Sequence, residues 1–123
     1  MDDVRAFPPI TVVMPAFNEE EGVASAVTAV RSVLTRAGIE HELLVVNDGS
    51  TDASAREAEK AGATVVSLPE QRGYGAALKT GIAAAKHDLI AIIDADCSYP
   101  AEALPEMLAH CDAYDMIVGS RGR

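Results

Sequence analysis

The feature of this sequence that most constrains its fold is an apolar run that leads directly into two aspartates. Residues 89–93 are five consecutive apolar residues, three of them isoleucine, and Asp94 and Asp96 follow. A short, uninterrupted run rich in β-branched residues is typical of a strand that is buried on both faces of a parallel sheet. Ligands bind at the carboxyl ends of strands in open α/β sheets. We therefore predict that Asp94 and Asp96 hold a divalent cation and, through it, a phosphorylated ligand.

The rest of the chain alternates predicted strands with predicted helices. Besides the strand at Leu89–Ile93, strands are predicted at Ile10–Met14, which Pro15 is expected to stop, and at Leu43–Val46, Thr64–Leu68 and Met116–Gly119. Helices are predicted from Asn18 to Gly38, from the Asn47–Asp52 turn to about Lys60, from Ala76 to Lys86 and from Pro100 to His110. This alternation predicts a three-layer α/β/α domain with a mainly parallel sheet.

The net charge, the cysteines and the distribution of apolar residues indicate which partners and which compartment to expect. Ten basic and nineteen acidic residues give a net charge of −9, which disfavours nucleic acid and anionic membranes as partners. Cys97 and Cys111 form no CxxC pair, so we expect a reducing cytoplasm. The N-terminus is not a signal peptide, and no apolar run approaches the roughly 20 residues of a membrane helix. Any contact with the inner membrane face would be peripheral.

Polar segments follow three of the predicted strands at their carboxyl ends. They are residues 15–20, 47–52 and 94–98. If these strands are neighbours in one parallel sheet, the three segments share one edge, and that convergence is more informative than any single motif.

Two of these segments have both a ligand-binding and a structural interpretation. Asp94 and Asp96 suit Mg²⁺ or Mn²⁺, which prefer carboxylate oxygens, but two solvated acids at a strand end give the same pattern. Asp48 can accept a hydrogen bond from a nucleobase or a ribose. The alternative at Asp48 is turn chemistry, with Ser50 or Thr51 capping the next helix.

The first segment favours a structural role. Asn18 and Glu21 fit a capping box, and the acidic residues suit the positive end of a helix. An apolar stripe then recurs at helical spacing, formed by Val23, Ala26, Val27, Val30, Val33 and Leu34. Further along, the segment Arg72–Gly75 opens a helix, where backbone N–H groups can meet phosphate.

Four motifs together resemble glycosyltransferase family two, and most of all its dolichol- and polyprenyl-phosphate sugar synthases. The motifs are Val12–Glu20, Val45–Asp52, Arg72–Leu78 and Asp94–Pro100, in the family's order and spacing. The resemblance runs from about residue 10 to residue 121, and four ordered motifs are far more specific than one.

The resemblance implies a GT-A fold that binds a UDP- or GDP-linked sugar together with Mg²⁺ or Mn²⁺. The implied nucleotide-sugar ligands are Pro15, Ala16, Glu20, Asp48, Arg72, Asp94 and Asp96. Asp94 and Asp96 would also be the metal ligands, and Asp96 and Arg121 would have catalytic roles. The implied reaction inverts the anomeric centre and delivers the sugar to a polyprenyl phosphate. That acceptor is already ionised, so it needs no strong general base.

Family members continue into an acceptor-binding half beyond the residues matched here. We therefore expect residues 1–123 to form a single nucleotide-sugar-binding domain without that half, and to self-associate through the apolar surface left exposed. The alternative function is a non-catalytic nucleotide-sugar-binding module that needs a partner chain or a dimer. A sugar-phosphate nucleotidyltransferase ranks last, because its first loop should be basic and glycine-rich, whereas here that loop is acidic.

Overall fold

The computed structural model describes residues 8–93, 95 and 119–120. The strands are β1 (Ile10–Ala16), β2 (His41–Asp48), β3 (Thr64–Leu68), β4 (Leu89–Ile92) and β5 (Gly119–Ser120). The helices of this part of the chain are α1 (Val23–Arg36), α2 (Ser54–Lys60) and α3 (Tyr74–Ala84).

The strands form one sheet in the order β3-β2-β1-β4-β5. β1 lies between β2 and β4 and pairs with both in parallel, and β3 extends the parallel part beyond β2. Among the described strands, only β5 runs antiparallel, against β4. The predicted mainly parallel sheet is confirmed, and the three strands that precede the polar segments are adjacent, as the shared edge requires.

Alternate side chains of the sheet pack into two separate apolar layers. Ile10, Val12 and Met14 of β1 face α1 and α2, whereas Val13 of β1 faces α3. The predicted stripe of α1 is confirmed, because the six side chains named above are the buried ones of that helix. Helices therefore cover both faces of the sheet, as the three-layer prediction requires.

The helix α3 approaches the sheet closely at Gly81. A Cβ added there would lie 2.5 Å from Val13 Cγ1 and 3.0 Å from Val46 Cγ2. The absence of a side chain at Gly81 thus allows the helix backbone to lie directly on the two central strands.

Pro15 limits the pairing of β1 on one side only. Alternate residues of β1 bond to opposite neighbours: the Val13 carbonyl accepts a hydrogen bond from Ile93 N–H, 3.1 Å, whereas Ile10 N–H donates to the Glu40 carbonyl, 3.0 Å. Pro15 shares the side of Val13, and it has no N–H to donate. The prediction that Pro15 stops the strand is wrong, because β1 continues past it in register with β2.

The start of α1 also differs from the prediction. The helix begins at Val23, its N-cap is Gly22, and no side chain caps it. The capping box of Asn18 and Glu21 is therefore wrong. Neither Ser50 nor Thr51 caps α2, whose N-cap is residue 53.

Several predicted features lie outside the described residues. They are Asp94, Asp96, Cys97, Cys111, Arg121, the helix at residues 100–110 and most of the strand predicted at residues 116–119. Among the helices that are described, none combines the length and the hydrophobicity that a bilayer span requires.

The close approach at Gly81 predicts that a substitution there destabilises the protein. Gly81→Ala should lower the free energy of unfolding by about 1–2 kcal/mol, because overpacking against Val13 and Val46 outweighs the gain in helix propensity. Urea titration of the wild type and the variant measures the difference.

Gly75, in the first turn of the same helix, is the matched control. A Cβ there would meet no atom of the described residues within 4 Å. Gly75→Ala should leave stability unchanged or raise it by about 0.5 kcal/mol. A Gly81→Ala variant as stable as Gly75→Ala would contradict the packing of α3 described above.

Candidate functional site

A cavity of about 280 Å³ lies where β1 and β2 end and α3 begins. Pro15, Ala16 and Phe17 line it from the end of β1, Asp48 from the end of β2, and Tyr74 from the start of α3. Glu19, Gln71, Ala77 and Ala95 complete the lining. We call this cavity the rim cavity. It lies at the carboxyl edge of the sheet, where the sequence analysis placed the ligand.

Asp48 joins the end of β2 to the start of α3. Its side chain is buried, and its Oδ1 accepts a hydrogen bond from Arg72 N–H, 2.8 Å, while Oδ2 accepts one from Gly73 N–H, 3.0 Å. Two of the N–H groups that the sequence analysis offered to phosphate are therefore bonded to Asp48. Each carboxylate oxygen has a second lone pair, so Asp48 can still accept a hydrogen bond from a ligand.

Gly49 brings the loop after β2 directly against the loop before α3. Its φ of +71° lies in the left-handed region, and a Cβ there would collide with the backbone of Glu70 and Gln71. Only glycine suits both the conformation and the contact. The loop that includes Gln71, which lines the rim cavity, is thus held by two contacts. Its backbone packs against Gly49, and its N–H groups at residues 72 and 73 are bonded to Asp48.

Asn47 has a structural role. Its Nδ2 donates to Ser67 Oγ, 3.2 Å, and its Oδ1 accepts from Ser50 N–H, 3.2 Å. Both ends of this buried amide are used to hold the turn and the neighbouring strand β3. The turn interpretation of the segment is therefore correct for Asn47.

The loop after β1 is bonded along its length to the loop after β2. Asn18 N–H donates to Ser50 Oγ, 2.9 Å, and Thr51 N–H donates to Asn18 Oδ1, 2.9 Å. Glu19 N–H donates to Ser54 Oγ, 2.7 Å. Asn18 has φ = 53°, a left-handed conformation that asparagine tolerates better than most residues.

Glu20 extends this set of contacts. Its N–H donates to Asp52 Oδ2, 3.2 Å, and its Oε1 accepts from Ala53 N–H, 2.9 Å. We call the contacts between residues 18–20 and residues 50–54 the loop brace. The polar side chains of Asn18 and Glu20 serve this brace and not the capping of α1.

The ionised form of Asp52 is favoured by hydrogen bonds from Ser54 in its own loop and by one bond of the loop brace, from Glu20. Partial desolvation raises its pKa, but hydrogen bonds from the Ser54 hydroxyl and N–H and from Glu20 N–H outweigh it, so the pKa lies below the usual value of 3.8. The side chain remains accessible to water, which limits the energetic consequence.

The structure brings together some of the predicted site residues and separates others. Pro15, Ala16 and Asp48 line the rim cavity. Glu20 does not; it borders a separate acidic cleft with Asn18, Glu19, Glu21 and Asp52.

The remaining predicted site residues do not belong to the described lining of the rim cavity. Arg72 is exposed, and its N–H is bonded to Asp48. Asp94, Asp96 and Arg121 lie outside the described residues. Ala95, which stands between the two aspartates in the chain, is buried and lines the rim cavity.

Six residues of the lining were not among the predicted site residues: Phe17, Glu19, Gln71, Tyr74, Ala77 and Ala95. Phe17 and Tyr74 are the exposed large hydrophobic side chains of the described chain, at 38% and 57%, and both border the rim cavity. The signal for Phe17 was its position in a polar loop at a strand end, where burial does not account for an aromatic side chain. Tyr74 is instead the first residue of α3.

The described residues contain no group of three His, Cys, Asp or Glu side chains placed to hold a metal ion. The chemistry of the donor set nevertheless suits a hard cation. Glu19 and Asp48 place carboxylates on the lining, and Ala95 brings the chain between the two predicted ligands to the same cavity.

A three-layer domain with a mainly parallel sheet belongs to the α/β class, in which ligands bind at the carboxyl ends of the strands, where the rim cavity lies. Solved structures define the type within that class. A glucosyl-3-phosphoglycerate synthase from Mycobacterium tuberculosis, crystallised with Mn²⁺, UDP and glucosyl-3-phosphoglycerate, superimposes with a TM-score of 0.72 at 31% identity, over 85% of this chain and 39% of that chain. The mannosyl-3-phosphoglycerate synthase of Rubrobacter xylanophilus gives a TM-score of 0.66 at 27% identity, over 72% and 31%. The fold is that of the GT-A glycosyltransferases.

The chain belongs to glycosyl transferase family 2, whose model matches residues 11–123. An uncharacterized glycosyltransferase of Mycobacterium tuberculosis is 40% identical over 113 residues, which is 91% of this chain and 48% of the relative. The undecaprenyl-phosphate 4-deoxy-4-formamido-L-arabinose transferase of an Enterobacter species is 33% identical, over 95% of this chain and 38% of the relative. The chain thus spans about half, or less, of the length of these relatives. The predicted family is confirmed.

The lowered pKa of Asp52 links stability to pH. Folding favours the ionised carboxylate, so its contribution is complete above the unfolded pKa and is lost as the pH falls through the lower, folded pKa. The free energy of unfolding of the wild type should therefore exceed that of Asp52→Asn at about pH 6, and the difference should shrink below about pH 4. Urea titrations across this range measure it. A difference that stays constant down to about pH 3 would rule out this role for Asp52.

Proposed function

We propose that the rim cavity binds the nucleoside end of a nucleotide-diphosphate sugar, and that the protein takes part in transferring the sugar to a polyprenyl-phosphate acceptor with inversion. The observation that carries this proposal is the shared lining of one cavity. Pro15, Ala16 and Asp48, and Ala95 between the two predicted metal ligands, meet at the same edge of the sheet.

The nucleoside would bind between the ends of β1 and β2. The free lone pairs of Asp48 suit a ring N–H or a ribose hydroxyl, and the burial of this carboxylate favours one fixed direction of approach. Phe17 offers an exposed aromatic face on the same lining, against which a planar base can stack. Pro15 and Ala16 form the apolar wall beside it.

The diphosphate would extend toward Ala95. Asp94 and Asp96 would hold Mg²⁺ or Mn²⁺, which when bound supplies positive charge to the departing nucleoside diphosphate. Arg72 and Arg121 would add cationic donors for the phosphates, and Asp96 and Arg121 are the proposed catalytic residues. The side chain of Arg72 is exposed, and its backbone N–H is bonded to Asp48. This bond holds the backbone of Arg72 beside the cavity.

The relatives support this function and leave two classes of acceptor. One relative is named as an undecaprenyl-phosphate transferase, which favours a lipid phosphate. A structural neighbour was crystallised with Mn²⁺, UDP-glucose and phosphoglyceric acid, which supports the donor and the metal but adds a small phosphorylated acid as a second candidate acceptor.

Calorimetry with UDP and GDP, each with and without Mn²⁺, tests donor binding. We expect one of the two to bind, and Asp96→Ala to weaken the Mn²⁺-dependent part at least roughly tenfold, as expected for the loss of a charged ligand. Asp88→Ala is the matched control, because Asp88 is an exposed aspartate at the amino end of β4, on the opposite edge of the sheet. Binding that needs no metal and is unchanged in Asp96→Ala would refute the metal site.

A transfer assay then separates the enzyme from the binding module. Radiolabelled donor is incubated with polyprenyl phosphate in one reaction and with phosphoglyceric acid in another. A lipid-linked product supports the proposed acceptor, and a phosphoglycerate-linked product favours the second class. Normal nucleotide binding with no product from either acceptor favours a non-catalytic module that acts with a partner chain.

A further inference from the structure

We propose that Asn18 and Glu20 are positioning residues, whose role is to hold the two loops that form the nucleoside wall of the rim cavity at a fixed separation. This inference rests on the proposed function and refines it. The sequence predicts that Glu20 binds the nucleotide sugar directly. We assign it instead an effect on nucleotide affinity without any contact to the nucleotide.

The contacts of the loop brace carry this inference. The brace contains three hydrogen bonds from N–H groups of residues 18–20 to side chains of the second loop, at 2.7–3.2 Å. It also contains three bonds in the opposite sense: Thr51 N–H donates to Asn18 Oδ1 and Ala53 N–H to Glu20 Oε1, both 2.9 Å, and the Thr51 hydroxyl donates to Asn18 Oδ1, 3.4 Å. Bonds that run in both directions over consecutive residues fix the distance and the register between the loops.

The brace lies next to both walls of the cavity. Phe17 precedes Asn18 on one loop, and Asp48 precedes the braced residues of the other by two positions. Glu19 belongs to both features, since it lines the rim cavity while its N–H is bonded to Ser54. A change in the spacing of the loops therefore moves Phe17 relative to Asp48, the two groups proposed to contact the base.

The charge around Glu20 argues against a direct contact with the nucleotide. Its carboxylate borders an acidic cleft shared with Glu19, Glu21 and Asp52, and the described residues place no cationic side chain on that lining. A diphosphate would be repelled there. The Oε1 atom, by contrast, accepts the N–H of Ala53 at the start of α2, where an anion is also favoured by the helix dipole.

Hydrogen exchange in the nucleotide-free protein tests the brace directly. The Ala53 amide should exchange roughly tenfold faster in Glu20→Ala, because the variant removes its charged acceptor, and close to the wild-type rate in Glu20→Gln, because the amide oxygen still accepts. Glu21→Ala is the matched control. Glu21 is an exposed neighbour on the same cleft, and its removal should leave the Ala53 rate unchanged.

Nucleotide affinity tests the consequence of the brace, using whichever of UDP and GDP the wild type binds. Asn18→Ala and Glu20→Ala should each weaken binding roughly tenfold, whereas Glu20→Gln should stay within about threefold of the wild type. Asn18 serves as an independent probe, because it belongs to the brace but does not line the rim cavity.

Two results would overturn the inference. One is a Glu20→Gln variant that loses as much affinity as Glu20→Ala while the Ala53 exchange rate stays at the wild-type value, which would make Glu20 a ligand contact. The other is unchanged affinity in both Asn18→Ala and Glu20→Ala. Failure of the wild type to bind any nucleotide would refute the proposed function instead, and the exchange rates would still decide whether the brace exists in solution.

Discussion

The parallel pairing of β1 with β2 on one side and β4 on the other is the constraint on which the site depends. Because parallel strands present the same end to one edge, this pairing brings the residues after β1 and β2, and Ala95 after β4, to a single rim. Pro15 adds a local effect. It has no N–H to offer on the side of the strand that faces β4, next to the residues that line the rim cavity.

Polar side chains near this rim form hydrogen bonds to the protein's own backbone. Asp48 uses both oxygens to hold the backbone before α3, and Glu20 uses one of its oxygens to hold the start of α2. A preorganised site needs this support, since each proposed contact depends on a loop that has no regular structure of its own. Asp48 can combine both roles because it also lines the rim cavity, whereas Glu20 lies outside the lining.

The sequence predicted those parts of the fold that depend on periodicity. The stripe of α1 matches the structure because burial on one side of a helix leaves a regular pattern in the chain. The strand Thr64–Leu68 also matches the prediction, although none of its residues is fully buried. The role of Asn18 could not be predicted in this way. A capping box is a rule about neighbours in sequence, and the bonds of Asn18 are to residues 32 and 33 positions away. For the same reason, the sequence could not reveal that Asp48 holds Arg72, 24 positions further on.

An NMR titration of the isotope-labelled protein with UDP and Mg²⁺, and separately with GDP and Mg²⁺, tests whether the rim cavity is the nucleotide site. If it is, the amide shifts concentrate at Ala16, Phe17 and Tyr74, which line the cavity. The amides of His41 and His87, at the opposite edge of the sheet, then stay unchanged. Shifts concentrated at that opposite edge, or absent from the cavity lining under saturating nucleotide, would refute this assignment.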